Sequence, residues 1–223
     1  MNLADPRRLA VIAAAGAALT IAGKLLGVDA LVWLFKPLTT IAIATGAFQR
    51  SDASPYARAV FAGLLLSLAG DVLLIPQGLF VAGLVAFLLA HVAYLFAFTR
   101  DVRPFARRLP FVAVAAIALA VLALLWPRLP SALKLPVLCY VLMLGAMTAQ
   151  ANARGAQLAT TGARRAALGG ALFMASDALL AIDRFHTPLP LSSLWVLGTY
   201  YPAQVLIALS IEGRASVAHG APR

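Results

Sequence analysis

The chain has 223 residues, of which 62% are hydrophobic and only 12% are charged. Soluble domains are usually about half apolar and about a quarter charged, so this composition excludes a soluble enzyme, a disordered chain and an ordinary nucleic-acid-binding domain. The net charge of +10 does not indicate a nucleic-acid partner, because nearly all the cations lie at the ends of apolar runs. The single cysteine, Cys139, excludes a disulfide framework and a thiolate zinc cluster. We therefore predict an integral membrane protein.

Eight apolar stretches are long enough to cross a bilayer as helices, which takes about 20 residues each. In chain order they are 9–26, 30–48, 57–75, 79–99, 109–126, 133–152, 165–182 and 194–211. They leave no room for a soluble domain, so we predict a single all-α membrane domain over 1–223, a bundle of eight transmembrane helices. The first stretch follows Arg7 and Arg8 and also has features of a signal peptide. We favour an uncleaved first helix, because the apolar run continues to Lys24.

The cations are distributed unequally between the two sides of this predicted bundle. Thirteen of the eighteen fall on the side of the termini: Arg7, Arg8, Arg50, Arg58, Arg100, Arg103, Arg107, Arg108, Arg154, Arg164, Arg165, Arg214 and Arg223. Four fall on the other side: Lys24, Arg128, Lys134 and Arg184. Lys36 lies within the second span. Cytoplasmic loops carry an excess of Lys and Arg, so both termini are predicted to be cytoplasmic, and the alanine- and arginine-rich composition favours a bacterial inner membrane.

An internal repeat relates the third and seventh spans. Residues 68–74 (Leu-Ala-Gly-Asp-Val-Leu-Leu) are similar to residues 174–180 (Met-Ala-Ser-Asp-Ala-Leu-Leu). This similarity predicts two four-helix halves, roughly 1–104 and 105–223. Because each half has an even number of spans, the two would have the same orientation, related by an axis along the membrane normal. The alternative is a chance match between alanine- and leucine-rich helices.

Few ionisable residues lie inside the spans, where a charge at the bilayer centre costs about 2.5–3.5 kcal/mol or more. They are Lys36, Asp71, His91 and Asp177, with Tyr94, Tyr200, Tyr201 and Gln204 as polar companions. At about 1.5 Å of rise per residue, the whole set falls in the outer half of the bilayer. Two carboxylates close together cannot both ionise easily, so one keeps its proton and can act as an acid. We therefore predict an acid–base site within the membrane.

Each of these residues also has a plainer interpretation. Lys36 and Asp71 are compatible with a structural ion pair, and His91 alone is more often a satisfied interior histidine. The remaining interpretations are packing aromatics for the tyrosines, an interhelical strut for Gln204, and a solvated pair at the end of the seventh span for Asp183 and Arg184. A metal held by Asp71, Asp177 and His91 is a further alternative. The sequence has no phosphate loop, nucleophile elbow or zinc-protease motif, and we predict no metal or other cofactor.

Five short motifs occur in a fixed order along the predicted spans: Lys36-Pro37, Gly70-Asp71, His91-x-x-Tyr94, Ser176-Asp177 and Thr199-Tyr200-Tyr201-x-Ala203-Gln204. This ordered set resembles the YhhN-like membrane proteins, the lysoplasmalogenase family. The resemblance implies hydrolysis of the vinyl-ether bond of a lysoplasmalogen, or a related lysolipid, to a fatty aldehyde and a glycerophospho-base. It implies that the site contains Lys36, Asp71, His91, Asp177, Tyr200, Tyr201 and Gln204, together with Tyr94, Asp183 and Arg184.

The predicted chemistry suits this activity. An acid protonates the vinyl ether, a carboxylate stabilises the resulting oxocarbenium ion and water captures it, as in two-carboxylate glycosidases. Asp71 and Asp177 are the predicted catalytic pair, and the lysophospholipid would enter from the bilayer with its head group near Lys36 and Arg184. A transporter of small solutes or lipids is the main alternative, because Pro37 and Pro136 interrupt two spans. A non-catalytic membrane organiser is another, and the oligomeric state is left open.

Overall fold

The computed structural model describes residues 2–104 and 106–212, in which every regular element is a helix. The eight α-helices are α1 (Pro6–Leu26), α2 (Asp29–Arg50), α3 (Pro55–Leu73), α4 (Phe80–Phe98), α5 (Arg108–Leu125), α6 (Ser131–Leu158), α7 (Thr161–Phe185) and α8 (Ser192–Ala208). A short 3-10 turn, Trp126–Arg128, follows α5. Helices α1 to α7, with that turn counted in α5, are long and apolar enough to cross a membrane. The prediction of an all-α membrane chain is confirmed, whereas α8, with 17 residues, is shorter than a full span.

Local sequence signals account for where several helices begin and end. The side chain of Asp5 accepts hydrogen bonds from the first backbone N–H groups of α1, and Pro6 occupies the first helical position. Gly27 ends α1 in the left-handed conformation, with φ of 67°. Ser54 and Thr160 cap the N-termini of α3 and α7 in the same way as Asp5. These capping residues place the loops at the two ends of the bundle.

Helix α6 extends further than the sequence pattern predicts. It continues to Leu158, whereas we expected a loop from residue 153. The reason is a pairing at this end of the bundle. The Arg154 guanidinium donates to Asp101 from Nε (2.8 Å) and Nη2 (2.7 Å), and lies 4.5 Å from the centroid of the Tyr56 ring. Arginine is a good helix former, and these contacts satisfy its charge at the end of the bundle, so this charged residue does not mark the end of the helix. Helix α7 is also longer than expected, from Thr161 to Phe185.

The expected interruptions at Pro37 and Pro136 are not observed. Both prolines lie inside continuous helices, α2 and α6, and α8 similarly contains Pro202. Proline removes one helical hydrogen bond, but membrane helices tolerate it where neighbouring groups satisfy the freed carbonyl. The discontinuous helices on which the transporter alternative depended are therefore absent from α2 and α6.

The helices pack in the same order in the two halves of the chain. In the first half α1 packs on α2, α2 on α3 and α3 on α4; in the second, α5 packs on α6, α6 on α7 and α7 on α8. The halves meet where α4 packs on α6 and where α8 packs on α1 and α2. Helix α1 is an integral part of this bundle, with Leu9, Ala13 and Gly23 buried.

Small residues on α3 let α4 approach closely. A Cβ atom at Gly63 would lie 2.3 Å from the Tyr94 ring, and one at Gly70 would lie 2.6 Å from the Phe87 ring. Small residues at helix contacts are the usual means of close packing in membranes. Phe87 and Tyr94 also contact Phe173 of α7, with ring centroids 6.1 and 6.4 Å apart. These rings form a buried aromatic cluster between α4 and α7, next to the polar residues of α3, α4 and α8.

Candidate active site

A cavity of about 360 Å³ contains both predicted catalytic aspartates in its lining. Lys36, Asp71 and Asp177 lie on its wall among apolar side chains. Helices α4, α5 and α6 contribute a continuous apolar wall: Leu84, Phe87, Val121, Leu125, Val137 and Leu144. The cavity therefore combines a polar face with a wall suited to a hydrocarbon chain.

Asp71 is surrounded by groups that stabilise its ionised form. The Lys36 Nζ atom lies 3.4 Å from Asp71 Oδ1 and donates to the Asp71 backbone carbonyl at 3.1 Å. Thr40 Oγ1 and the Tyr200 hydroxyl donate to Oδ2 at 2.6 and 2.7 Å. Lys36 and Thr40 are four residues apart and so lie on one face of α2. Asp71 is only 1% exposed, and this set of partners compensates the charge where water is excluded.

Asp177 has different surroundings. The Tyr140 hydroxyl donates to Asp177 Oδ2 at 2.6 Å, and His91 Nε2 lies 3.9 Å from the same atom. Among residues 2–104 and 106–212, no Lys or Arg nitrogen lies within 4.0 Å of this carboxylate. The two aspartates line one cavity, but within the described part of the chain only Asp71 has a Lys or Arg partner.

His91 is fully buried between aromatic rings. Its ring centroid lies 5.1 Å from that of Tyr140 and 4.8 Å from that of Phe173, both nearly edge-on. Neither ring nitrogen has a hydrogen-bond partner in the described part of the chain. The described structure therefore does not support the interpretation of His91 as a satisfied interior histidine, and its Nε2 lies 3.9 Å from Asp177 Oδ2.

A chain of hydrogen bonds connects Asp71 to the bundle interior through α8 and α4. Gln204 Nε2 donates to the Tyr200 hydroxyl at 3.0 Å, and the Tyr94 hydroxyl donates to Gln204 Oε1 at 2.8 Å. Tyr94 in turn lies 3.3 Å from Ser67 Oγ. Gln204 thus links α4 to α8 by hydrogen bonds, as its interpretation as an interhelical strut expects. It also contacts the hydroxyl of Tyr200, which donates to Asp71. Tyr201 contacts the backbone carbonyl of Lys36 at 3.4 Å.

Asp183 and Arg184 lie at the end of α7 and also line the cavity. Asp183 Oδ1 accepts a hydrogen bond from the Leu189 backbone N–H at 2.8 Å, which holds the loop after α7. The Arg184 guanidinium lies 3.8 Å from the centroid of the Phe80 ring. The two side chains do not form an ion pair with each other in the described structure, so the interpretation as a solvated pair is not supported.

Sequence reasoning missed Thr40, Tyr140 and Lys24. Thr40 follows Lys36 by one helical turn, so the two lie on one face of the helix. This spacing could have identified Thr40 from the sequence as a neighbour of Lys36. Tyr140 follows Pro136 by one turn on α6 and donates to Asp177, as Thr40 on α2 donates to Asp71. Lys24 ends an apolar run and was counted only as a loop cation, although it lines the cavity.

The metal alternative finds no support in the arrangement of these groups. Within the two described ranges, no cluster of three or more His, Cys, Asp and Glu side chains has the geometry to hold a metal ion. Asp71 and Asp177 are instead engaged by hydroxyl groups and, for Asp71, by Lys36.

The fold and the site together define a class: a polytopic helical membrane protein with a cavity among its helices that is lined by aspartates, cations and apolar side chains. Residues 31–211 match the YhhN family, and the chain belongs to this family. The match covers every site residue from Lys36 onward, so the resemblance inferred from the motifs is confirmed.

Several named relatives extend the comparison. The human protein named lysoplasmalogenase TMEM86A is 39% identical over 174 residues, which are 75% of this chain and 71% of the relative. The human lysoplasmalogenase TMEM86B is 35% identical over 185 residues, 82% of this chain and 77% of the relative. A lysoplasmalogenase of Mycobacterium bovis is 36% identical over 152 residues, 65% of this chain and 56% of the relative. No solved structure gives a significant match.

Proposed function

We propose that this protein is a membrane lysoplasmalogenase, which hydrolyses the vinyl-ether bond of a lysoplasmalogen to a fatty aldehyde and a glycerophospho-base. The names of the human and mycobacterial relatives support this activity. The single observation that carries it is the pair of aspartates on one cavity wall, one with a lysine partner and one without.

The shape and lining of the cavity suit a single-chain amphiphile. Its volume of about 360 Å³ falls in the range of about 300–1,000 Å³ that is usual for small-molecule sites. The apolar wall from α4, α5 and α6 would hold the alkenyl chain, and the cations at the ends of α1 and α7 lie towards the head group. The vinyl ether, which joins chain to glycerol, would then lie beside the two carboxylates.

We assign the proton donor to Asp177 and the stabilising negative charge to Asp71. The Asp177 side chain is only 14% exposed and has no Lys or Arg nitrogen within 4.0 Å among the described residues, surroundings that favour a protonated carboxyl group. Asp71 is held as the anion by Lys36, Thr40 and Tyr200. The Asp177 proton would be transferred to the vinyl carbon farther from oxygen, and the neighbouring carbon would become an oxocarbenium ion stabilised by Asp71.

Water then completes the reaction. Its oxygen bonds to the carbon of the oxocarbenium ion, and its proton passes to the Asp177 carboxylate, which restores the acid. The resulting hemiacetal breaks its bond to the glycerol oxygen, which takes the hydroxyl proton, and the products are aldehyde and alcohol. One water molecule is consumed for each bond cleaved, and no redox cofactor is needed.

The remaining polar residues act as positioning groups in this proposal. Tyr140 orients Asp177 by donating to Oδ2, and His91 Nε2 lies 3.9 Å from the same oxygen. Tyr200 is oriented by Gln204, and Gln204 by Tyr94. Because each hydroxyl in this chain has a defined partner, the carboxylates are preorganised, which is the usual source of electrostatic stabilisation in enzymes.

The experiment is aldehyde release by the purified protein from a panel of lysolipids that differ only at the first glycerol position. The expected result is aldehyde from the 1-alkenyl lipid and none from the 1-alkyl or 1-acyl lipid. Absence of aldehyde from every alkenyl lipid, combined with movement of lipid or solute across liposomes, would favour the transporter alternative.

We further propose that all eight helices span a bacterial inner membrane, with both termini in the cytoplasm. The cation distribution supports this orientation. We also propose two four-helix halves related by an axis along the membrane normal, which the repeated packing order of the helices supports. Thr40 and Tyr140 support the repeat as well, since each donates from the second helix of its half to the aspartate of the third. A C-terminal fluorescent fusion should be active and a C-terminal alkaline phosphatase fusion inactive; the reverse would overturn the orientation.

A further inference from the structure

A second cavity, of about 650 Å³, lies at the end of the bundle that carries the α1–α2 and α3–α4 loops. Its polar lining consists of Lys24, Asp29, Gln77 and Arg184, with Trp33 beside them. Lys24, Phe80 and Arg184 line both this outer cavity and the cavity of the two aspartates. The outer cavity therefore adjoins the active-site cavity at two cationic side chains.

These two cations have no carboxylate partner. Among residues 2–104 and 106–212, no Asp or Glu oxygen lies within 4.0 Å of the Lys24 ammonium or the Arg184 guanidinium. Arg184 is held in place by the face of the Phe80 ring, 3.8 Å from its centroid. Lys36, in contrast, is engaged by Asp71 and is not free to bind a head group.

Cations in the last turn of a helix are common because they interact favourably with the helix dipole. Lys24 and Arg184 both occupy such positions, on α1 and α7. The dipole alone does not explain why both line the junction of two cavities, with an acidic and an aromatic side chain in the lining of the outer cavity alone. That arrangement indicates a ligand with an anionic group followed by a cationic one.

We propose that Lys24 and Arg184 bind the phosphodiester of a zwitterionic lysophospholipid, and that Asp29 and Trp33 face the ammonium group of its base. Guanidinium and ammonium groups are the usual partners of phosphate oxygens. Carboxylates and aromatic faces attract ammonium groups, including quaternary ones. The inference deepens the proposed function and rests on it for the nature of the lipid.

The order of groups along the lipid matches the order of side chains along the two cavities. The hydrocarbon chain would contact the apolar wall, and the ether would lie at Asp71 and Asp177. The phosphate would then fall at the shared residues Lys24 and Arg184, and the base in the outer cavity. Lys24 and Asp29 lie outside the 31–211 match to the YhhN family, so this site is assigned from the geometry of this chain.

The test measures binding of a lipid that cannot be hydrolysed, the saturated 1-alkyl lysophosphatidylethanolamine, to the full-length protein in nanodiscs by calorimetry. Lys24→Gln and Arg184→Gln should each weaken binding about tenfold or more, since each removes a charge-assisted contact. Lys134→Gln is the matched control, because Lys134 lies over the Trp126 ring and lines neither cavity. It should leave binding unchanged.

Two further lipids separate the contributions of the head group. Binding of 1-alkylglycerol, which lacks phosphate, should be the same in the wild type and in both cation variants. Asp29→Asn should weaken binding of the ethanolamine lipid but not that of 1-alkyl lysophosphatidate, which lacks the base. Unchanged binding of the ethanolamine lipid by Lys24→Gln and Arg184→Gln, or equal weakening by Lys134→Gln, would overturn the site. Aldehyde release tests the vinyl-ether hydrolysis, whereas this binding experiment measures no turnover. Failure of the proposed activity and failure of the proposed head-group site are therefore seen in different measurements.

Discussion

The Lys36 ammonium lies 3.4 Å from the Asp71 carboxylate, and no lysine or arginine among the described residues is placed in this way beside Asp177. The two aspartates are similar in their sequence surroundings and share one cavity. Their electrostatic surroundings nevertheless differ, since one charge is compensated in the membrane interior and the other is not. We expect this difference to separate the two proposed roles, a stabilising anion at Asp71 and a proton donor at Asp177.

Replacing each aspartate with asparagine should separate these roles. Asp177→Asn keeps the volume but removes the transferable proton, so kcat should fall at least about a hundredfold with little change in thermal stability, in line with the usual contribution of acid catalysis. Asp71→Asn should also lower kcat about a hundredfold. It should in addition destabilise the fold by about 3–5 kcal/mol, because it leaves Lys36 buried without its partner. Aldehyde release and thermal unfolding measure the two effects; full activity in both variants would contradict the assignment.

Lys36→Met should act on turnover rather than on substrate affinity. The Lys36 ammonium contacts both the side chain and the backbone carbonyl of Asp71, so its loss alters the charge state of that aspartate. We expect kcat to fall with KM nearly unchanged, measured by steady-state aldehyde release across substrate concentrations. A raised KM with unchanged kcat would instead assign Lys36 to the head group.

Val121→Trp should change the preferred chain length of the lipid. Val121 lies on the α5 part of the apolar wall, where a larger side chain shortens the space for the alkenyl chain. The ratio of kcat/KM for long over short chains should fall about tenfold or more, as is usual when apolar pockets lose room for methylene groups. Val112→Trp is the control, since Val112 is 65% exposed on the same helix, and it should leave the ratio unchanged.

Asp101→Asn should lower stability without changing the chemistry. Asp101 accepts the bidentate contact of Arg154 at the end of the bundle opposite the outer cavity. Its loss leaves a largely buried guanidinium without its charged partner, which should cost about 1–3 kcal/mol. Thermal unfolding in detergent should show the loss, with kcat unchanged below the transition. Asp5→Asn is the control, because asparagine caps a helix about as well as aspartate; equal destabilisation by both would contradict the role of the pair.

The sequence by itself determined the class of protein and the order of its helices. Crossing a bilayer requires about 20 apolar residues in one stretch, so spans are visible in a one-dimensional pattern. A charged residue within such a stretch is costly, which is why Asp71 and Asp177 could be selected as candidate site residues. The loop expected after residue 152 was wrong, because the pairing of Arg154 with Asp101 is invisible to a hydropathy pattern.

Tertiary structure alone decided which groups meet across helices. Side-chain packing, such as the contact of Tyr94 with Gly63, decides which face of each helix points to its neighbours. No local sequence pattern specifies this orientation. For this reason the sequence left open which aspartate Lys36 approaches, and it missed the hydroxyl donors Thr40 and Tyr140. The junction at Lys24 and Arg184 is also a tertiary feature, since the ends of α1 and α7 meet at one pair of cavities only after the bundle has formed.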